Sequence, residues 1–319
     1  MVGVEARRTH ELGGSTVSEQ QPYITDEETG EKWTAMLGDS CERLPELEES
    51  SVDLSVFSPP FASLFTYSPS ERDLGNCRDH AEFQEHYGFV VRELLRVTKP
   101  GRLCVVHCQQ LATQKGRDGA IGVYDFRGDL IRTHVENGWV FHGEVTIDKC
   151  PQAQAIRTKA TSLMFVTLNR DSSMSRPAFS DYLLMFRKPG ENEVPIKPDC
   201  DNETWIEWAR PVWEGIRESD TLNTRVARDD ADERHICPLQ LHLIERVVRL
   251  WSNKDELVLT PFMGIGSEVY TAVKFGRRAI GCELKPSYWR TAVNNLERLD
   301  RDMAAPMLFD VLEEEEAAT

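Results

Sequence analysis

Apolar and polar positions alternate in short blocks along the chain, and each block has the length and period of one strand or one helix. Strands are predicted over 34–37, 53–57, 102–107, 139–147, 182–186, 257–259 and 278–283. The run at 53–57 is rich in Val, Leu and Phe, as in a strand covered on both faces. Between these runs the period changes. Phe83, Tyr87, Val90, Val91, Leu94 and Leu95 share one side of a helix, which Lys99-Pro100-Gly101 stops. Over 238–251, Leu241, Ile244, Val247, Val248 and Trp251 fall on one side of another. Helices are also predicted over 126–137 before Gly138, over 267–275, and over 286–299 with Pro286 near its start. Strands alternating with helices imply an α/β sheet.

Some stretches do not follow this alternation. Residues 1–30 are polar and acidic, and read as a loose arm. Residues 148–180 form a long mixed segment carrying Lys149, Arg157, Lys159, Arg170 and Arg176. Residues 189–236 hold several prolines, the charged run 225–234, and Trp205, Trp208 and Trp213, which read as the core of a small subdomain. Loops of this length in a compact domain usually serve function or stay disordered. Residues 300–319 end in Glu313 to Glu316 and read as a solvated acidic tail.

The 319 residues suffice for one large domain or two modest ones. No apolar run has membrane-spanning length, and the N-terminus lacks a signal-peptide core, so a cytoplasmic protein without a membrane partner is expected. Eight cysteines are scattered; only Cys104 and Cys108 are close, and without CxxC pairs no metal site is expected. A net charge of -16 argues at first against a nucleic-acid partner. Its distribution weakens that argument. Residues 1–50 carry 12 acids and 4 bases, 299–319 carry 7 acids and 1 base, while 101–188 carry 12 bases and 8 acids. A body close to neutral with a basic middle can still meet phosphates.

Two segments carry the candidate chemistry. Ser58-Pro59-Pro60-Phe61 follows the strand at 53–57. Paired prolines fix φ and leave rigid carbonyl acceptors, and an aromatic ring follows at once. Acceptors beside a ring face suit a planar group with an exocyclic amine. Some two hundred residues later, Thr260-Pro261-Phe262-Met263-Gly264-Ile265-Gly266-Ser267 joins a strand to a helix. Its glycines permit close approach of a ligand, and the helix N-terminus offers free N–H groups. Glu283, at the end of the next strand, is placed to take two ribose hydroxyls.

On these segments the chain resembles the β-class of S-adenosylmethionine-dependent DNA amino-methyltransferases, which modify adenine N6 or cytosine N4. It looks particularly like the stand-alone enzymes of phages and prophages, and the resemblance covers roughly residues 33–299. That class places its (D/N/S)PP(Y/F/W) motif before its PFxGxG motif, the order found here. Further matches are Leu37-Gly38-Asp39-Ser40, Arg96 to Gly101, His235 to Gln240, and Gly281-Cys282-Glu283-Leu284 with Tyr288.

The resemblance implies a class I, Rossmann-like mixed seven-stranded sheet with helices on both faces, permuted so that a catalytic half (31–188) precedes a cofactor half (237–299). It implies catalytic roles for Ser58, Pro59, Pro60 and Phe61. It assigns S-adenosylmethionine to Asp39, Thr260, Pro261, Phe262, Gly264, Gly266, Ser267 and Glu283. Thr260 departs from the class, which commonly has aspartate there. Double-stranded DNA is the implied partner, with 189–236 as the recognition insertion and Arg157, Lys159, Arg170 and Arg176 on the phosphates. Members are often homodimers. Serine at position 58 leans the resemblance towards cytosine N4, and adenine N6 stays open. A non-catalytic DNA-binding protein and an RNA or small-molecule amine methyltransferase are the alternatives. Cys150-Pro151-Gln152 inverts the Pro-Cys-Gln of the cytosine-C5 enzymes, so Cys150 reads as structural, and His107 as a satisfied rim histidine.

Overall fold

The computed structural model describes residues 23–60, 72–113, 115–152, 154, 171, 176–222 and 238–305. In chain order the elements are β1 (Asp26–Thr29), β2 (Trp33–Leu37), α1 (Ser40–Arg43), β3 (Val52–Phe57), α2 (His80–Val97) and β4 (Thr98–Gln109). There follow β5 (Leu111–Thr113), α3 (Lys115–Asp118), β6 (Gly122–Tyr124), α4 (Phe126–Glu136), β7 (Val140–Ile147) and β8 (Asp181–Arg187). The rest are α5 (Asn202–Trp208), β9 (Val212–Trp213), α6 (Leu241–Trp251), β10 (Leu257–Thr260), α7 (Ser267–Lys274), β11 (Arg278–Glu283) and α8 (Pro286–Ala304).

One sheet runs β1-β2-β11-β10-β3-β4-β8-β7-β9. Its centre, β2 to β4, is parallel, and β8 runs antiparallel between β4 and β7. The seven strands expected from the sequence are the middle seven. Short β1 and β9 add one strand at each edge. The sequence missed β1 because Asp26–Thr29 is all polar and exposed, with no buried face to impose a period.

Alternation along the strands sends side chains into two cores. Leu54, Val56, Leu103, Val105, Val258 and Ala279 face α6, α7 and α8, where Leu243, Val247, Val269, Ala272 and Leu296 meet them. Phe57, Cys104, Val106, Leu184 and Leu259 face α2 and α4 through Phe83, Tyr87, Val90, Phe126 and Leu130. Each fully buried Val, Leu or Phe among them contributes about 1.5–3 kcal/mol. Asp79 caps α2 by accepting the Glu82 N–H at 2.9 Å, which starts the helix after a polar turn.

Two expected boundaries move. The final helix runs on to Ala304, so the first residues of the predicted tail are helical. The described part of 189–236 is not a separate subdomain: Trp208 and Trp213 join the main core, while Trp205 is exposed. Arg277, fully buried, reaches out of the main body to Asp199 at 3.0 Å and ties this segment down.

Candidate functional site

The carboxyl ends of β3 and β10 are neighbours because the two strands pair in parallel, with Val258 opposite Leu54 and Leu259 opposite Ser55. Their continuations part: β3 leads to α2 on one face, and β10 leads to α7 on the other. That divergence opens a crevice beyond the strand ends, the usual place for a ligand in an open α/β sheet. A cavity of about 340 Å³ fills it.

Both motifs line this cavity. Ser58, Pro59 and Pro60 come from the end of β3; Pro261, Phe262, Met263, Gly264 and Ile265 come from the end of β10. The two tips are packed together. Phe57 meets Phe262 edge-on with centroids 5.7 Å apart. The Ser40 hydroxyl donates to the Pro261 carbonyl, joining the start of α1 to the glycine loop.

Acidic groups surround the loop. Asp39 lines the cavity, accepts the Cys41 N–H at 2.9 Å and pairs with Arg72 at 3.3 Å. Glu283 accepts the N–H groups of Gly264 and Lys285, both at 2.8 Å, while its carbonyl accepts the Gly38 N–H at 2.9 Å. Burial pushes its carboxyl up to about 7, although those two N–H groups favour the charged form. Glu268, in the first turn of α7, also lines the cavity; burial, with the charge of Glu283 adding to it, pushes its carboxyl up to about 8. Cys41 sits at the same wall, and burial beside Asp39 pushes its thiol up to about 12, so it is no thiolate nucleophile. Cys150 is exposed and does not line the cavity.

Of the residues assigned to the cofactor from sequence, Asp39, Pro261, Phe262, Gly264, Ser267 and Glu283 line the cavity, and two do not. Gly266 caps α7 in the left-handed region at φ 93°, where an added Cβ would stand 3.2 Å from that of Ala292. Its glycine is required by the turn and by helix packing. Thr260 is 1% exposed, outside the lining, and its hydroxyl has no partner among the described residues. Phe61, Arg157, Lys159 and Arg170 lie outside the described residues. Arg176 is half-buried, donates to the Gly122 carbonyl at 3.2 Å and lies 4.2 Å over the Phe179 ring.

Behind Ser58 stands a group whose histidine reads from the sequence only as a satisfied rim residue. His107 Nδ1 lies 3.3 Å from the Ser58 hydroxyl, and its Nε2 lies 3.0 Å from Asp181. Lys149, buried rather than presented by a basic loop, holds the same Asp181 oxygen at 2.9 Å. Burial alone would raise the Asp181 carboxyl, but His107 and Lys149 outweigh it and hold it below the usual range. Only strand register, which the sequence does not show, reveals the pairing. Phe57 pairs with Val106, which sets Ser58 beside His107.

Comparison with known proteins gives the family and the fold. Residues 52–294 match the family N6_N4_Mtase, described as DNA methylase. The type II methyltransferase M1.MboII of Moraxella bovis is 24% identical over 283 residues, covering 81% of this chain and 94% of that protein. A candidate DNA modification methylase of Thermus thermophilus, TTHA0409, solved with S-adenosyl-L-methionine, is 26% identical with a TM-score of 0.60, over 85% of this chain and 94% of its own. The cytosine-N4-specific PvuII DNA methyltransferase shares the fold at 22% identity and a TM-score of 0.60, over 86% of this chain and 92% of its own.

Proposed function

The chain belongs to the N6_N4_Mtase family of DNA methylases, and from that premise we propose that it moves a methyl group from S-adenosylmethionine to the exocyclic amine of a base in double-stranded DNA. The observation that supports this reading most is the single cavity lined by both the Ser58-Pro59-Pro60 tip and the Pro261-to-Ile265 loop. Cytosine N4 is the favoured target, because position 58 offers a hydroxyl where the adenine enzymes commonly carry a carboxylate.

The lining fits the cofactor. Asp39 would face its adenine and Glu283 its ribose. Ser267 adds a buried hydroxyl that has no partner among the described residues, and the Cβ position of Gly264 is open. Apolar Phe262, Met263, Ile265 and Tyr288 complete a wall suited to a ligand part aromatic and part aliphatic. When bound, S-adenosylmethionine supplies a methyl already activated on a sulfonium. The protein then has to position the acceptor and handle its proton. The Ser58 hydroxyl and the Pro59 carbonyl accept the amine N–H groups, which turns the nitrogen lone pair towards the cofactor side. Proline rigidity holds both acceptors in place. Phe61 stacks on the flipped base, offsetting the few kcal/mol that flipping costs.

Expression in a methylation-free host followed by single-molecule sequencing tests the reading. Methylated cytosine or adenine at a defined site is expected. Unmodified DNA, from protein that binds S-adenosylmethionine, would overturn it in favour of a non-catalytic binding protein. Replacing Phe61 by Ala is expected to reduce methylation while cofactor affinity survives; equal loss of both would remove its assigned role.

A further inference from the structure

Methylating an exocyclic amine releases one proton per turnover, and Ser58 cannot keep it. A hydroxyl that accepts a proton must give up its own. The group behind Ser58 is built to take that proton. His107 is 8% exposed and does not line the cavity, so it reaches the reaction only through Ser58. Asp181 is 5% exposed, and both its oxygens are occupied: Gln109 donates to one at 3.0 Å, and His107 and Lys149 share the other. A carboxylate on Nε2 favours the tautomer with hydrogen there, which leaves Nδ1, at 3.3 Å, as an acceptor for the Ser58 O–H in competition with the His107 carbonyl at 3.4 Å. Lys149 opposes a positive ring, but Glu218 stands 3.7 Å beyond it.

We propose that His107, held by Asp181, is a positioning residue that aims the Ser58 lone pairs into the cleft and receives the proton that Ser58 relays from the amine. In this step the amine N–H bond breaks and a new O–H bond forms on Ser58. The original Ser58 O–H bond breaks and Nδ1–H forms on His107, leaving an imidazolium beside Asp181. The proton later passes to solvent, and Ser58 is unchanged over the cycle. This inference rests on the proposed methyl transfer, so its test starts from wild-type protein that methylates DNA; an inactive wild type would speak against that transfer, not against the relay.

Two measurements test it. In the free protein, nitrogen-15 spectra of labelled histidine are expected to show His107 hydrogenated at Nε2, with an Nδ1 signal that moves in Ser58→Ala. A ring carrying hydrogen on Nδ1 at the working pH would overturn the proposal. In single-turnover assays His107→Asn is expected to lower the methyl-transfer rate about 100-fold, with S-adenosylmethionine and DNA affinities within about twofold. The same substitution in a Ser58→Ala background is expected to change the residual rate little, because the two residues act as one unit. Equal loss in both backgrounds, or a parallel loss of affinity and rate, would make His107 a merely structural residue. If His107→Asn fails to fold, Asp181→Asn takes its place in the same cycle with the same two outcomes.

Discussion

Gly266 shows how one backbone conformation holds a loop in place. Its φ of 93° lies where a side chain is strained, and the start of α7 presses against Ala292. Gly266→Val is expected to lower stability by about 1–3 kcal/mol. Cofactor affinity should fall with it, because the Pro261-to-Ile265 loop is tied to α7 through this residue. Denaturant melts and calorimetric titration of S-adenosylmethionine would measure the two effects separately; undiminished affinity would remove the loop from the cofactor site. Ser58, Pro59 and the glycine loop were legible as motifs because local chemistry dictates them. His107 was not, since a lone histidine at a strand end is usually just satisfied, and only its neighbours reveal more.

At the scale of elements, the crevice depends on β3, β4 and β10 staying in register, and a buried ionic cluster at their opposite ends holds them. Arg102 is 1% exposed and meets Glu256 ahead of β10 and, at 3.5 Å, Asp53 in β3. Asp53 also takes Lys99 at 2.7 Å and accepts the Leu257 N–H at 2.9 Å. Removing Arg102 would leave buried carboxylates short of their countercharge. Arg102→Met is expected to cost about 3–5 kcal/mol, read from a denaturant midpoint. A charge-free replacement of the whole cluster should cost far less, because the desolvation penalty vanishes with the charges. Sequence periodicity placed these strands well but was silent on the clamp, because the residues that form it lie up to two hundred positions apart.

Across the whole molecule, the cavity carboxyls couple folding and ligand binding to pH. Glu268 and Glu283, ordinarily near 4.5, are pushed up to about 8 and about 7. Over that window the folded chain holds more protons than the unfolded one, so stability falls as pH rises through it. The net charge of -16 works in the same direction through self-repulsion. Urea midpoints are expected to drop between about pH 5.5 and pH 8.5, and Glu268→Gln should flatten the slope. A midpoint that rises over this range would contradict the buried, protonated state. A cationic ligand stabilises the ionised carboxylates, so S-adenosylmethionine binding at neutral pH should release protons. Calorimetry in buffers of different ionisation enthalpy would detect them.

The sequence by itself determined the α/β alternation, the two motifs and their order along the chain, because hydrophobic period, paired prolines and glycine turns act over a few residues. Only the tertiary structure decided that β10 inserts beside β3 and brings both tips to one cavity, that Thr260 stays out of its lining, and that 189–222 packs onto the main body. It alone joined Ser58 to His107, Asp181 and Lys149. Those outcomes depend on strand order and register, which bring distant residues within hydrogen-bond reach and leave no local trace in the chain.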